Sequence, residues 1–222
     1  SKKNVVCLSN WQLERFREMY HQDARVLDPH CADGDWLVPG EEPRGDYLAW
    51  LGKLGADKGA LQAIEICRKF KQKLVLIGAA TPGDPSEYEA SVRAACDGVD
   101  IRLHGPAFGD EKKVIFQGAK ALLYCSNYPP GTGEASSHKS IEPPLCGTPV
   151  ILFNQGGLKE IFDDRITGMV INGEQEMPEA LQWAEGLDRM ACRTKAMERW
   201  DFRHVTKRWL PTMQDVAQGL RW

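Results

Sequence analysis

Three short stretches decide the fold: YLAWLG at Tyr47–Gly52, ALQAIEICRKF at Ala60–Phe70 and KLVLIG at Lys73–Gly78. The first and third are apolar runs of strand length that end in glycine. The second has apolar residues at helical spacing. A strand, a helix and a second strand in this order predict a right-handed βαβ unit with parallel strands.

The same alternation continues to about residue 171. We predict helices over 87–96 and 110–118, and strands over 100–105, 121–125, 149–153 and 169–171. The expected fold class is therefore α/β, with a Rossmann-like parallel sheet flanked by helices and with terminal arms. Ligands of such sheets bind beyond the carboxyl ends of the strands, which predicts one shared edge for Gly52-Lys53, Gly78-Ala79, His104-Gly105 and residues 127–134.

Segments on both sides of this domain differ from it. Residues 1–26 predict a strand at 5–9 and a helix at 11–20, residues 27–46 are rich in Pro, Gly and Asp and predict a linker, and residues 188–222 predict a helical arm. The central domain accordingly spans 47–187. Four of the seven tryptophans lie in the end segments, at Trp11, Trp200, Trp209 and Trp222. Large aromatic side chains on arms usually cover a neighbouring surface, so we expect a separate domain or a partner chain to cover them.

Composition argues against several classes of protein. The 222 residues are 42% hydrophobic and 27% charged, as in globular proteins, and the net charge of -3 offers no electrostatic footprint for nucleic acid. No apolar run approaches the roughly 20 residues of a membrane span, and no signal peptide is visible. Seven scattered cysteines without a Cys-x-x-Cys pair favour a reducing, cytoplasmic compartment. The five histidines are not paired with them, so we expect no structural metal.

Two glutamates eight positions apart, Glu134 and Glu142, precede a turn at Gly147-Thr148-Pro149. Carboxylates accept two hydrogen bonds at once from sugar hydroxyls, so the pair suits a polyhydroxylated ligand. Taken alone, such a pair is more often two unrelated surface residues, since charged side chains mostly lie in water.

Lys53 and Lys58 lie on the loop after the first strand of the βαβ unit, beside the amino end of the next helix. Two ammonium groups at a helix amino end can hold a pyrophosphate, and the alternative is two solvated surface lysines. The spacing is not that of a P-loop. No Gly-x-Gly-x-x-Gly follows a strand either, which argues against a dinucleotide dehydrogenase.

Eight short motifs occur in an order typical of one enzyme family. They are GKL at 52–54, DKG at 57–59, LIG at 76–78, LHG at 103–105, Glu134-x7-Glu142, CGTPV at 146–150, GGxxE at 156–160 and TG at 167–168. In this order the chain resembles the carboxyl-terminal, nucleotide-sugar-binding domain of a family 4 retaining glycosyltransferase of the GT-B architecture (glycosyl transferases group 1). The resemblance covers about residues 45–185. It extends more weakly to residues 5–12, which resemble the last strand and helix of the amino-terminal domain.

The resemblance implies a role for each matching residue. Lys53 and Lys58 would bind the donor diphosphate, Glu142 would hold the ribose hydroxyls, and Glu134 would be the catalytic residue beside the donor sugar. The remaining donor-binding residues would be Gly52, Gly78, His104 near the base, and Ala135, Ser136, Ser137 and His138 through their backbone amides. The donor would be a UDP- or GDP-linked sugar, transferred with retention and without a metal or other cofactor.

The chain departs from the family pattern at three places. Position 53 is lysine where the family has arginine. Lysine lacks the guanidinium group that binds a phosphate through two hydrogen bonds, so we expect a looser donor orientation. The run 135–137 is Ala-Ser-Ser where the family has a Gly-Phe-Gly-like run, which predicts a more polar sugar pocket. Pro143 and Pro144 follow Glu142 where the family has a helix. Proline is disfavoured inside a helix but tolerated in the first turn, so we predict that this helix begins at or just before Glu142.

The sequence thus predicts the donor-binding domain of a retaining glycosyltransferase with an unknown acceptor, and a chain that does not turn over by itself. One alternative is a non-catalytic nucleotide-sugar-binding module that associates with a separate acceptor-domain chain. Another is a GT-B nucleotide-sugar epimerase, against which the ordered glutamate pair and the following Gly-Thr-Pro turn argue.

Overall fold

The computed structural model describes residues 4–41, 45–81, 87–126, 128 and 132–222. Its elements, in chain order, are β1 Val6–Cys7, α1 Asn10–Tyr20, β2 Arg25–Val26, β3 Tyr47–Leu51, α2 Ala60–Lys69, β4 Lys73–Ile77, α3 Glu87–Ala95, β5 Ile101–Gly105, α4 Gly109–Gly118, β6 Leu122–Tyr124, α5 Glu142–Leu145, β7 Val150–Phe153, β8 Gly168–Ile171, α6 Met177–Gly186, α7 Arg189–Trp200 and α8 Phe202–Ala217. Within these described ranges no helix is long and apolar enough to cross a membrane.

The central element is a six-stranded sheet in the order β5-β4-β3-β6-β7-β8. Every neighbouring pair of these strands is parallel. Helices cover both faces of the sheet, and residues such as Leu48, Leu74 and Leu122 are at most 1% exposed. Strands buried on both faces consist of continuous apolar runs, which is why they were recognisable in the sequence. The prediction of a Rossmann-like parallel sheet flanked by helices is confirmed.

The strand order reverses at β3. From β3 the chain moves outward through β4 and β5, and it then returns to β6 on the other side of β3. The loops that follow β3 and β6 therefore diverge and leave a crevice at the carboxyl ends of these two strands. The strand ends that the prediction named lie at this edge of the sheet. Residues 127 and 129–131, which the prediction also placed there, lie outside the described residues.

The amino-terminal segment forms a separate two-stranded parallel sheet of β1 and β2, together with α1. The first turn of α1 contains no acidic residue of its own. The Glu160 carboxylate instead accepts hydrogen bonds from the backbone N–H groups of Asn10 and Trp11, both at 2.8 Å. A carboxylate at this end offsets the helix dipole, so Glu160 joins the first segment to the central domain.

The carboxyl-terminal segment is helical as predicted, but α7 belongs to the core. Cys192, Ala196 and Trp200 are buried, and Trp200 is 1% exposed. The indole of Trp200 lies edge-on to Phe162 with a centroid distance of 5.8 Å. The expectation that another domain or a partner covers this tryptophan is wrong, because the chain's own core already covers it.

Two further tryptophans of the end segments bind the chain's own backbone. The indole of Trp209 donates a hydrogen bond to the Asp28 carbonyl at 3.3 Å, and that of Trp222 donates to the Val5 carbonyl at 3.0 Å. Both remain partly exposed. Coverage of Trp11 and of these exposed faces by another domain stays a prediction.

The predicted helix start at Glu142 is confirmed. Helix α5 begins at Glu142 and places Pro143 and Pro144 in its first turn. Backbone N–H groups in the first turn have no partner within the helix, so the prolines remove no hydrogen bond there. The Glu142 side chain consequently lies at a helix amino end, where the helix dipole favours a carboxylate.

Gly59 fixes the start of α2 against the end of β6. Its φ is +70°, and a Cβ at this position would lie 1.7 Å from the Cys125 carbonyl oxygen. Only glycine therefore allows α2 to begin this close to β6. The same contact sets the position of Lys58, which directly precedes Gly59.

We predict that Gly59→Ala lowers the free energy of unfolding by more than the roughly 1–2 kcal/mol that a left-handed backbone costs a residue with a Cβ. Gly98→Ala is the matched control, because Gly98 has a φ of +76° but no atom within 4 Å of its would-be Cβ. Urea unfolding followed by circular dichroism measures both variants. Equal losses would contradict the importance of the contact with Cys125.

Candidate functional site

A cavity of about 340 Å³ lies in the crevice beyond β3 and β6. Its lining consists of Gly52, Lys53, Lys58, Glu134, Ser136, Ser137, His138 and Lys139. All of these except Lys139 are predicted donor-site residues. Larger cavities, of about 420 and 440 Å³, lie at the opposite edge of the sheet and beside α7 and α8, and neither is lined by a predicted residue.

Three side chains donate hydrogen bonds to the Glu134 carboxylate. The Lys58 ammonium and the Tyr128 hydroxyl both donate to Oε1, the latter at 2.8 Å, and the Tyr124 hydroxyl donates to Oε2. Lys58 also donates to the Tyr128 hydroxyl. The Glu134 side chain is only 14% exposed and that of Lys58 22%. A buried ion pair is stable only when further hydrogen bonds satisfy it, and the two tyrosines supply them.

The surroundings keep both members of this pair charged. Burial opposes ionisation of Glu134, but the hydrogen bonds from Lys58 and Tyr124 outweigh it and hold the pKa of Glu134 below its ordinary value. Burial likewise opposes the charge of Lys58, yet the contact with Glu134 raises the pKa of Lys58. Glu134 is therefore an acceptor at neutral pH and can orient hydroxyl groups, but it cannot deliver a proton.

Burial, assisted by the negative charge of Glu134, raises the pKa of Tyr124. Its hydroxyl is therefore protonated across the physiological range and remains a donor to Glu134. Ser137 Oγ lies 3.0 Å from the same hydroxyl, and Ser137 is 5% exposed. The Ser137 hydroxyl is thus held inside the protein beside Tyr124, and a more polar sugar pocket stays a prediction.

A glycine pair holds the backbone of Glu134 in place. Gly157 N–H donates to the Glu134 carbonyl at 2.9 Å. Gly156 has a φ of +60°, and a Cβ there would lie 2.5 Å from the same oxygen. The Ala135 carbonyl packs equally close to Gly157. The loop after β6 therefore rests directly on the loop after β7.

Glu142 is 8% exposed and does not line the cavity. Its carboxylate binds Lys112 of α4, with Nζ 2.6 Å from Oε2 and 2.9 Å from Oε1. Sequence reasoning missed Lys112, because nothing in the local pattern links it to a residue 30 positions later. The two predicted acids are thus each paired with a different lysine.

His104 and Gly78 occupy the same edge of the sheet but do not line the cavity, whereas Lys53 does. His104 is the penultimate residue of β5, and its Nε2 lies 3.6 Å from Glu111 Oε1. Gly78 follows β4, donates its N–H to the Gly105 carbonyl at 2.9 Å and packs against the Gly52 carbonyl. Lys53 is exposed on the rim of the cavity.

The predicted linker places His30 next to Ser136 and His138, which line the cavity. The Asp28 carboxylate is hydrogen-bonded to His30 Nδ1 and accepts the Ser136 hydroxyl at 3.1 Å. The His30 and His138 rings lie 5.6 Å apart. Burial raises the pKa of Asp28, but the hydrogen bonds from His30 outweigh this effect and hold the pKa below its ordinary value. Sequence reasoning missed this cluster because residues 27–46 carry no regular pattern.

Lys139 is the second lysine that sequence reasoning missed, although it stands within the quoted Glu134–Glu142 stretch. Its ammonium lies 4.4 Å from the centroid of the Tyr124 ring. Burial lowers the pKa of Lys139 to about 8. Over the described ranges, no group of three or more His, Cys, Asp or Glu side chains could hold a metal ion.

The sequence model of the family described as "Glycosyl transferases group 1" matches residues 39–200. A curated relative, D-inositol 3-phosphate glycosyltransferase of Frankia alni, is 26% identical over 158 residues, which are 66% of this chain and 37% of the relative.

Solved glycosyltransferases share the fold. A glycosyltransferase from Rickettsia africae ESF-5 superimposes with a TM-score of 0.77 at 16% identity, over 97% of this chain and 64% of that one. Anabaena HepE in complex with UDP-glucose superimposes with a TM-score of 0.74 at 14% identity, over 95% of this chain and 63% of that one.

The chain spans about two fifths of the length of the curated relatives and less than two thirds of the similar structures. The family match nevertheless covers most of the chain, and it includes the whole parallel sheet and the crevice. The chain belongs to the glycosyl transferases group 1 family and has the fold of GT-B glycosyltransferases.

Proposed function

We propose that this chain is the donor-binding, carboxyl-terminal domain of a family 4 retaining glycosyltransferase, which moves a sugar from a UDP- or GDP-linked donor to an acceptor. The observation that carries the proposal is the Lys58–Glu134 pair, which lines a cavity at the reversal point of the sheet. Such a crevice is where open α/β sheets bind their ligands. HepE, which shares the fold, has been crystallised with UDP-glucose.

The diphosphate of the donor would lie against Lys53 and Lys58. Lys53 is exposed on the rim, and Lys58 stands directly before the amino end of α2. Backbone N–H groups and ammonium groups at a helix amino end attract phosphate oxygens. These positive charges would also stabilise the nucleoside diphosphate as its bond to the anomeric carbon breaks.

The donor sugar would lie beside Glu134. A carboxylate has about four lone-pair sites, and Lys58, Tyr128 and Tyr124 use three of those on Glu134. A sugar hydroxyl can donate to the fourth. Since Glu134 is ionised, this role is to orient and stabilise the sugar, and acceptor attack from the face of the departing diphosphate would retain the anomeric configuration.

Glu142 would bind the ribose hydroxyls. Its carboxylate is ordered by Lys112, so a ribose can share an acceptor whose position is already set. The acceptor half of the active site would come from residues outside this sequence, either on the same native chain or on a partner chain that binds this module. We also propose a reducing, cytoplasmic setting, for which the seven free cysteines are the support.

We predict that the chain binds UDP or GDP and that Lys53→Met weakens this binding about tenfold, the lower range for a charge-assisted hydrogen bond. Isothermal titration calorimetry at low salt measures the affinity. Lys71→Met is the matched control, because Lys71 is an exposed lysine at the opposite edge of the sheet. Unchanged affinity in Lys53→Met would remove this lysine from the donor site.

We predict that Glu142→Gln weakens binding of a nucleoside diphosphate whose ribose carries its hydroxyl groups, but not of the analogue that lacks them. The variant is expected to bind the nucleoside diphosphate about tenfold more weakly, because an ionised acceptor for the hydroxyls is lost. Binding of the 2′,3′-dideoxy analogue should change little. Equal losses for both nucleotides would place the effect outside the ribose contact.

The isolated chain should bind a nucleotide sugar without transferring it. Release of UDP or GDP from a labelled donor, in the presence of a panel of sugar acceptors, measures turnover. Sugar transfer by residues 1–222 alone would contradict the proposal that the acceptor half lies elsewhere. Light scattering of the chain mixed with a candidate partner tests whether that half is a separate chain.

A further inference from the structure

Lys139 differs from the other lysines of the cavity. Lys58 is paired with Glu134, and Lys53 is exposed to water. Lys139 is largely enclosed, and the described residues provide neither a hydrogen bond nor an ion pair for its ammonium. A cation removed from water without a counter-ion is unfavourable, so its environment requires an explanation.

The ammonium of Lys139 lies at the junction of the two loops that form the crevice. Its nearest aromatic contact is the face of Tyr124 at the end of β6, at 4.4 Å. A Cβ on Gly52, which follows β3, would lie 3.4 Å from the same nitrogen. Lys139 therefore reaches the cavity beside the loop that carries Lys53 and Lys58.

The charged groups around Lys139 do not neutralise it. Glu134 and Asp57 favour its protonated form, whereas Lys58 disfavours it and the buried Cys125 thiol is neutral because its pKa is raised. Glu134 already forms an ion pair with Lys58. Burial is the largest influence on the pKa of Lys139, which it lowers to about 8.

We propose that Lys139 binds an anionic oxygen of the donor and thereby acts as an additional donor-positioning residue. This inference rests on the proposed function, since the donor must occupy the cavity. Its place beside Gly52 favours a phosphate oxygen. A carboxylate on the donor sugar offers the same chemistry, and the two sources are separable by experiment. The family resemblance assigns no role to this lysine.

The site predicts a distinctive pH dependence. In the free protein half of the Lys139 side chains are deprotonated near pH 8. A bound anion favours the ammonium and raises its pKa, so the complex holds more protons than the free protein above about pH 8. Affinity should therefore fall as the pH rises from 7 to 9.5, with proton uptake on binding.

The test is calorimetry of residues 1–222 with UDP, UDP-glucose and UDP-glucuronate, or with GDP and its sugars if wild type binds only guanine nucleotides. Lys139→Met should weaken UDP binding about 10- to 100-fold, as expected for loss of one charge-assisted hydrogen bond. Lys139→Arg should retain much of the affinity and show a flatter pH profile than wild type, because arginine stays charged. Lys71→Met is the control for loss of a positive charge.

The outcomes separate the two proposals. Weaker binding of UDP by Lys139→Met identifies a phosphate oxygen, and weaker binding of UDP-glucuronate alone identifies a sugar carboxylate. Equal affinities of Lys139→Met and wild type for every ligand would overturn the role of Lys139 and leave the donor site intact. Failure of wild type to bind any nucleotide would overturn both. A cooperative thermal unfolding transition and a wild-type circular dichroism spectrum show that each variant is folded.

Discussion

The ion pair between Lys58 and Glu134 is the interaction on which the candidate site depends. It joins the loop after β3 to the loop after β6, across the crevice formed where the strand order reverses. Because both groups are largely buried, the pair needs additional hydrogen bonds, and Tyr124 and Tyr128 provide them. Gly59 packs the start of α2 against the end of β6, and Gly156 packs the loop after β7 against the backbone of Glu134. The close packing of these glycine backbones thus positions the loops that carry the charged groups of the cavity.

Charge in the cavity follows from this pair. Glu134 and Lys58 form an ion pair, so Lys53 and Lys139 are the further lysines that line the cavity. A concave surface with excess positive charge and restricted solvent attracts anions of matching size. The second acid, Glu142, lies apart and is held by Lys112. The cavity and the Glu142 carboxylate are therefore separate features of this edge of the sheet, and the proposed function assigns the diphosphate to the first and the ribose to the second.

Sequence reasoning succeeded where a local rule applied. Two-sided burial makes the strands of a parallel sheet apolar, and the prolines after Glu142 restrict where a helix can begin, so both features could be predicted. Parallel strands all end at one edge, which is why residues far apart in sequence could be placed there together. The same reasoning could not choose among residues at that edge. It assigned His104 and Glu142 to the donor site together with Glu134 but could not tell that only Glu134 lines the cavity, and it did not single out Tyr124, Lys139 or the Asp28–His30 pair. It also expected a partner to cover Trp200, which packs in the chain's own core.

The sequence by itself determined the α/β class, the parallel sheet, the edge that carries the site and the start of α5, because each follows from periodicity, from strand burial or from the backbone of proline. Only the tertiary structure decided which charges meet. Lys58 pairs with Glu134 because β3 and β6 are neighbouring strands whose loops face each other across the crevice, and Lys112 pairs with Glu142 because α4 packs beside α5. Lys139 is left facing the cavity for the same reason. Distances between side chains depend on how several loops pack at once, and no spacing within one segment encodes them.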